Sequence, residues 1–199
     1  MNSFRTFLWR VLSLHITTYF LVGMLAFSIF SYDTLYASGT LQYIMKPTNS
    51  LWVAAGPGLQ IIRGILFAII LWPFKEIILF GKNGWLKLWL LFLGLAILGT
   101  AGPSPGSIEG MIYTKVSFRE HLIGMPEILL QTLLFSLLLF YWYKKPSKLI
   151  NVIVIILVSL ILLMSIAGFF IKYDEQTHST SLQYYQPIMT SFHKFVLLM

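Results

Sequence analysis

The sequence has no cysteine and few charged residues, and each scarcity excludes a class of protein. Without cysteine there can be no disulfide, no iron–sulfur cluster and no thiol nucleophile. Charged residues make up 11% of the 199 residues, while apolar residues make up 57%. A soluble domain usually has about 25% charged residues, so a water-soluble protein could not cover its surface with so few. Lipid as the outer solvent removes that need.

Acidic residues are also scarce relative to basic ones, which leaves a net charge of +7. This excess does not predict nucleic-acid binding, because the cations lie at the ends of apolar runs and not on one polar segment. Cations in such positions follow the positive-inside rule of membrane proteins. There is no Asn-x-Ser/Thr sequon, and this absence, like that of cysteine, suits a bacterial inner (cytoplasmic) membrane.

Long apolar runs are what the sequence has instead, and crossing ~30 Å of hydrocarbon takes about 20 such residues. Five runs are predicted to span the membrane, at about residues 8–31, 51–74, 84–101, 124–143 and 149–171. The prediction is therefore an all-α, multi-pass membrane protein with a single domain of five transmembrane helices. The first run is predicted to be a retained helix, because it is longer than the ~7–15 apolar residues of a signal peptide.

The distribution of lysine and arginine predicts the orientation of the bundle. One side carries eight of them: Arg5, Arg10, Lys75, Lys82, Lys87, Lys144, Lys145 and Lys148. The other side carries five, spread over more chain: Lys46, Lys115, Arg119, Lys172 and Lys194. Since cytoplasmic loops carry the excess, the N-terminus is predicted to lie inside and the C-terminus outside.

This orientation places three long segments on the outer side: loops 32–50 and 102–123, and the tail 172–199. In the tail, apolar residues recur at helical spacing at Ile188, Phe192, Phe195 and Met199. The pattern predicts a short helix in the outer membrane interface, or else a tail that packs on the bundle.

Four polar residues inside the second and fourth spans are the predicted ligand-binding cluster: Gln60, Arg63, Glu127 and Gln131. Counted from the cytoplasmic ends at ~1.5 Å per residue, they lie at ~18–25 Å, in one layer of the outer half. Ionisable groups at such depth are rare and are functional candidates by default. The structural alternative is that Arg63 pairs with Glu127 and pins the two helices together, if those helices touch.

Prolines near this cluster leave the local backbone open to several interpretations. The run Gly56-Pro57-Gly58 could break the second helix and expose amides that bind anions, could mark its start, or could allow close packing. Glu127 follows Pro126, which predicts a helix start whose free amides the carboxylate satisfies. His15 is placed ~8 Å from the inner boundary, far from the Arg63 layer, and is predicted to be a packing residue.

The second outer loop holds the remaining candidates for acid–base work or ligation: Glu109, Arg119, Glu120 and His121. Their spacing matches no metal-binding pattern, so neither a metal nor another cofactor is predicted. The run Gly102-Pro103-Ser104-Pro105-Gly106 predicts turns, because it lacks the Gly-Lys-Ser/Thr ending of a phosphate-binding loop. Glu120, Gly124, Glu127 and Gln131 would form one polar stripe leading from this loop towards Arg63.

No motif assigns an activity, and three hypotheses remain open. The first is a membrane protein that binds or transports a small anionic or amphipathic, lipid-like molecule from the outer side, with Arg63 as its charge anchor. The second is an accessory or assembly subunit whose partners are other membrane subunits and whose polar cluster is structural. The third is a membrane-embedded enzyme that acts on a lipid, although no catalytic residue can be named. The bilayer is a partner in all three.

Overall fold

The computed structural model describes the backbone of residues 3–98 and 104–196, and side chains as far as residue 178. The chain is 84% helical, and the described residues form no strand. The described part contains these α-helices: α1 (Phe4–Phe30), α2 (Tyr32–Tyr36), α3 (Leu51–Leu71), α4 (Gly84–Leu98), α5 (Ile108–Tyr113), α6 (Phe118–Lys144) and α7 (Lys148–Val196). Short 3-10 helices cover Leu41–Tyr43 and Trp72–Phe74, and a π-helix covers Glu76–Phe80.

Four of the described helices are long and apolar enough to cross a membrane. They are α1, α3 with its 3-10 extension, α6, and the Lys148–His178 part of α7. The predicted third span corresponds to α4, whose described part, Gly84–Leu98, has 15 residues. At ~1.5 Å per residue this part is ~22 Å long, less than the length of a usual span. By length, therefore, the structure supports four of the five predicted spans.

Helix α3 is continuous through Gly56-Pro57-Gly58, so of the interpretations left open by the sequence, the break and the helix start at Pro57 are both wrong. The helix begins at Leu51, where the Ser50 hydroxyl accepts a hydrogen bond from the Val53 amide. Next to the proline, the Ser165 hydroxyl of α7 accepts from the Gly58 amide at 3.1 Å and donates to the Ala54 carbonyl at 3.0 Å. A side chain from the neighbouring helix thus satisfies the backbone beside Pro57, which is how transmembrane helices tolerate proline.

Helix α6 also begins earlier than predicted. Ser117 caps it in a reciprocal pair with Glu120, so Pro126 lies inside the helix and Glu127 does not stand at a helix start. The cap supplies the start signal, because it satisfies amides that would otherwise be free. The predicted amide-satisfying role of Glu127 is therefore wrong.

Helix α7 changes the prediction for the tail. It runs without interruption from Lys148 to Val196, 49 residues, so the backbone forms no separate short helix after Pro187. The side chains that suggested an interfacial stripe, at residues 188, 192 and 195, lie outside the described part, as does Met199.

Helix α1 is the centre of the bundle. It packs on α3, α6 and α7, while α4 packs on α6 and α3 packs on α7. Helices α1 and α3 approach closely at Gly64 of α3, where an added methyl group would lie 3.0 Å from the Leu12 Cα atom. The core of the bundle includes Phe7, Val11 and Leu14 of α1, all buried. Helix α1 therefore lies between α3 and α6, the two helices that carry the predicted cluster.

Candidate functional site

The mid-depth polar group of the bundle is built around Gln60, which is 6% exposed. Its Oε1 atom is 3.1 Å from His15 Nε2 and accepts from the Arg63 guanidinium at 3.3 Å. Its amide nitrogen donates to the Gly56 carbonyl at 3.3 Å. Because a carbonyl oxygen only accepts, the bond to His15 requires a proton on Nε2.

The prediction that His15 lies far from the Arg63 layer is therefore wrong. The register of α1 against α3 explains the error: Leu12 contacts Gly64, and the Tyr19 hydroxyl lies 3.7 Å from a methyl group added at Gly56. In antiparallel helices this register puts His15 level with Gln60. Counting depth from Arg10 fails because α1 begins at Phe4, so Arg10 does not mark the end of the bundle.

Arg63 makes no ion pair within the described part of the chain. Its side chain is exposed on α3, lies 5.8 Å from the centre of the Phe67 ring, and donates to Gln60. The described ion pairs are Lys75–Glu76, Lys172–Glu175 and His178–Asp174. With α1 between α3 and α6, the expected pairing of Arg63 with Glu127 does not form.

Glu127 instead lies nearer the end of the bundle that the lysine and arginine distribution predicts to be the outer end. Its Oε2 atom accepts a hydrogen bond from the Tyr32 hydroxyl at 2.5 Å, and its Oε1 atom lies 3.7 Å from a methyl group added at Gly23. Gly23 is eight residues beyond His15, a rise of ~12 Å. The single predicted layer is therefore two levels, one around Gln60 and one around Glu127.

Gln131, the fourth predicted member, is half-buried on α6, one turn from Glu127. Within the described residues its side chain makes no hydrogen bond to Gln60, Arg63 or Glu127. The structure thus brings Gln60 and Arg63 together, adds His15 to them, and keeps Glu127 and Gln131 apart from that pair.

A cleft of about 360 Å³ opens beside Glu127, between α1, α2 and the start of α3. This volume is within the range of small-molecule sites, ~300–1,000 Å³. Among the described residues that line it, Glu127 is the only charged one. Its aromatic residues are Tyr19, Phe20, Phe27, Tyr32, Tyr36 and Trp52. We call this space the outer cleft.

The tyrosines of α2 are un-ionised donors at neutral pH. Burial, reinforced by the bond to Glu127, raises the pKa of Tyr32 far above its ordinary value. Burial and the charge of Glu127 raise the pKa of Tyr36 to about 12. The Tyr32 hydroxyl therefore keeps its proton and donates a hydrogen bond to the Glu127 carboxylate at the wall of the outer cleft.

The outer-loop candidates have structural contacts. The Glu120 carboxylate accepts from the Ser117 amide at 2.9 Å and from the Thr40 amide at 3.2 Å, which ties the two outer loops together. His121 is 1% exposed, and its Nδ1 atom accepts from the Gly106 amide at 2.9 Å. Gly106 has φ of +87°, a conformation that favours glycine.

The other two loop candidates lie apart from this arrangement. Glu109 is half-buried in the first turn of α5, and Arg119 is exposed at the start of α6. Among the described residues no group of three His, Asp or Glu side chains could hold a metal ion. None of the four outer-loop candidates lines the outer cleft.

Sequence reasoning missed the aromatic lining of the outer cleft. Tyrosine and tryptophan are enriched at membrane interfaces, so Tyr32 and Trp52 near the ends of the apolar runs do not by themselves indicate a cleft. The available signal was the pair Tyr32 and Tyr36, which are four residues apart and so share one face of a helix.

A comparison with known proteins finds no family model, curated protein or solved structure that matches this chain, so its function has to be argued from the site.

Proposed function

We propose that this chain is a multi-pass membrane protein that binds a small amphipathic molecule in the outer cleft. The observation that carries the proposal is a cavity of about 360 Å³ with an aromatic lining and one carboxylate, Glu127, at its wall. Ligand pockets have this composition, mostly apolar with a few polar groups that orient the ligand.

The geometry favours an amphipathic ligand over an anionic one. Arg63 was the expected anchor for an anion, but neither Arg63 nor Gln60 lines the outer cleft. The charge that does line it is Glu127, and two like charges repel strongly where the effective dielectric constant is low. Arg63 and Gln60 lie at a different level from the outer cleft, so ligand binding in the cleft does not explain Arg63.

The proposal includes five crossings, with α4 as the short one. Gly84, at the start of α4, lies against Phe140 near the C-terminus of α6, and α4 also packs on α5, which precedes α6. Helix α4 thus runs from one end of α6 towards the other. A bilayer can thin locally around a helix of ~22 Å at modest cost. The bacterial inner membrane and an inside N-terminus belong to the same proposal, supported by the lysine and arginine distribution.

The binding proposal is tested by filling the outer cleft. A methyl group added at Gly23 would point towards Glu127 and meets nothing closer than 3.7 Å, so Gly23→Leu places bulk in the cleft. Gly94→Leu is the matched control, because an added methyl group there has no neighbour within 4 Å. Mass spectrometry of molecules retained on purification should find the same molecule in wild type and Gly94→Leu, and lose it in Gly23→Leu. Equal retention in all three would contradict the proposal.

A second function, membership of a membrane complex, is favoured by Arg63. An arginine exposed in the middle of a span is costly in lipid and usually faces protein or water. A partner helix that presents a carboxylate to this face of α3 would satisfy it. Co-purification should then recover a partner with wild type and Arg63→Lys but not with Arg63→Leu. This role can coexist with ligand binding, since the two levels use different residues.

The third hypothesis, an enzyme acting on a lipid, has the least support. The most suitable acid–base groups of the outer loop, Glu120 and His121, are held by hydrogen bonds to loop backbone. Neither of them lines the outer cleft. We therefore assign no catalytic residue.

A further inference from the structure

We infer that the outer cleft recognises a cationic head group, a quaternary ammonium or a similar amine, which sits between Glu127 and the rings of Tyr19 and Tyr36. This inference rests on the proposed function, because it names the chemical class of the ligand in that same cleft. It is carried by three features: a carboxylate with one oxygen that accepts no hydrogen bond from the described residues, aromatic rings around it, and the absence of a cation among the described residues that line the cleft.

Only one oxygen of the Glu127 carboxylate accepts a hydrogen bond from the described residues. Oε2 accepts from Tyr32, whereas Oε1 accepts no hydrogen bond from the described part of the chain. Gly23 keeps the space in front of Oε1 open, since even an added methyl group would stay 3.7 Å away. A charged carboxylate with an unpaired oxygen in an apolar cavity costs free energy unless a cation or a donor pairs with it. A ligand cation would supply that pair.

The lining of the outer cleft is suited to a cation with apolar substituents. The faces of aromatic rings carry negative partial charge, and cages of such rings bind quaternary ammonium groups. The cavity adds Met24 and Met45, whose flexible side chains adapt to irregular shapes. An anion would meet both the carboxylate and the ring faces unfavourably.

Two rings of the cleft are already engaged, which narrows the position of the cation. Tyr32 is stacked on Tyr36 at 5.0 Å and on Phe30 at 6.1 Å. Trp52 holds the Lys46 ammonium 5.0 Å from its ring centre. The chain itself therefore places a cation on a ring at the rim of the cleft. Tyr36 has one face against Tyr32 and no second ring contact among the described residues, so the rings that can meet the ligand beside Glu127 are Tyr19 and the other face of Tyr36.

The experiment compares choline with its uncharged carbon isostere, in which a tert-butyl group replaces the trimethylammonium group. The two have nearly the same shape, so any difference in affinity measures recognition of the charge. Binding is measured by calorimetry on the full chain in lipid nanodiscs. We expect wild type to bind choline at least tenfold more tightly than the isostere.

Three variants locate the interaction. Glu127→Gln keeps an acceptor for Tyr32 and should weaken choline about tenfold or more without changing isostere binding. Asp33→Asn is the matched control, because it removes an exposed carboxylate from α2 that does not line the cleft, and it should bind choline as wild type does. Tyr36→Leu keeps apolar volume but removes a ring, and should weaken choline about three- to tenfold.

The outcomes separate this inference from the function on which it rests. Equal affinity of wild type for choline and the isostere, absence of choline binding, or unchanged choline binding in Glu127→Gln would overturn the cationic ligand. If Gly23→Leu still loses a molecule that wild type retains, the cleft binds a ligand of another class and the proposed function stands. If Gly23→Leu retains that molecule as well, both proposals fail.

Discussion

The two ends of the bundle each place one charged residue among aromatic rings, but they use it differently. At the inner end, Arg10 donates to the Trp142 carbonyl at 3.2 Å and lies 4.4 Å from the Tyr143 ring centre. At the outer end, Glu127 accepts one hydrogen bond from the described part of the chain, from Tyr32, and has a cleft beside its other oxygen. The inner charge is satisfied within the chain, whereas the outer one is only half satisfied.

This difference separates a structural charge from a binding charge. Arg10 of α1 donates to a carbonyl in the last turn of α6, where a cation interacts favourably with the helix dipole and the free carbonyls. Its neighbour Trp9 donates to Asn151 of α7 at 3.0 Å, so the inner end joins α1, α6 and α7. No comparable set of contacts holds Glu127. Variants at the inner end should therefore affect folding, and variants at the outer end should affect binding.

The largest expected effect is a loss of stability when the close packing of α1 on α3, which keeps His15 level with Gln60, is disrupted. Gly64→Val should lower the free energy of unfolding by about 3 kcal/mol, because the added atoms meet the Leu12 backbone and α1 cannot keep its approach to α3. Chemical denaturation in detergent measures the loss. Gly94→Val is the control, with no neighbour near its added methyl group, and should change stability little. A tolerated Gly64→Val would show that α1 and α3 pack in another register.

The next effect concerns the inner charge. Arg10→Met keeps the length of the side chain but removes the charge, and should cost about 2 kcal/mol of stability through the lost ring contacts and the lost carbonyl bond. Arg5→Met, an exposed arginine of the same helix, should cost little. Thermal unfolding of both variants measures the difference. Equal stability of the two would mean that the inner end is not held by Arg10.

A smaller effect is expected where α7 supports α3 near the outer end. Ser165→Ala removes the hydroxyl that bridges the Gly58 amide and the Ala54 carbonyl, and should cost about 1 kcal/mol. Ser28→Ala is the control, since that exposed hydroxyl bonds only within its own helix, to the Met24 carbonyl. Hydrogen exchange should be faster at Gly58 in the Ser165 variant alone. Unchanged exchange there would exclude the bridge.

The smallest effect on stability is expected at the outer charge. Glu127→Gln can still accept from Tyr32 and removes a half-satisfied charge, so the free energy of unfolding should change by less than about 0.5 kcal/mol or rise. The same denaturation experiment that measures Arg10→Met checks this. A loss as large as that of Arg10→Met would contradict the contrast between the two ends and make Glu127 a structural residue.

The sequence predicted the long helices well because apolar length and capping are local properties. The runs behind α1, α3, α6 and α7 were all found, the described part of α4 lies within the predicted third span, and α6 begins earlier than predicted, at the Ser117 cap. The position of each polar residue along the length of the bundle was predicted poorly. Counting residues from each helix's own cation assumed a common boundary, whereas the register of α1 against α3 sets the level of His15.

The candidate site was predicted only in part for the same reason. Glu127 and Gln60 lie in helices long and apolar enough to span a membrane, but which polar residues meet depends on the helix that lies between α3 and α6. A single sequence does not show that α1 is central. The outer cleft was beyond prediction because its walls come from four separate segments, and Tyr32 reaches it only through the turn into α2, at Ser31 with φ of +49°.

The most direct test of the central claim uses the natural lack of cysteine. Val53 lines the outer cleft and is 41% exposed, so Val53→Cys gives a single reporter. In sealed vesicles of known orientation, a membrane-impermeant maleimide should label it from the outer side, and choline should slow the labelling unless Glu127→Gln is also present. Labelling that requires lysis, or a rate that choline leaves unchanged in the presence of Glu127, would contradict an outward-facing cleft that binds a cation at Glu127.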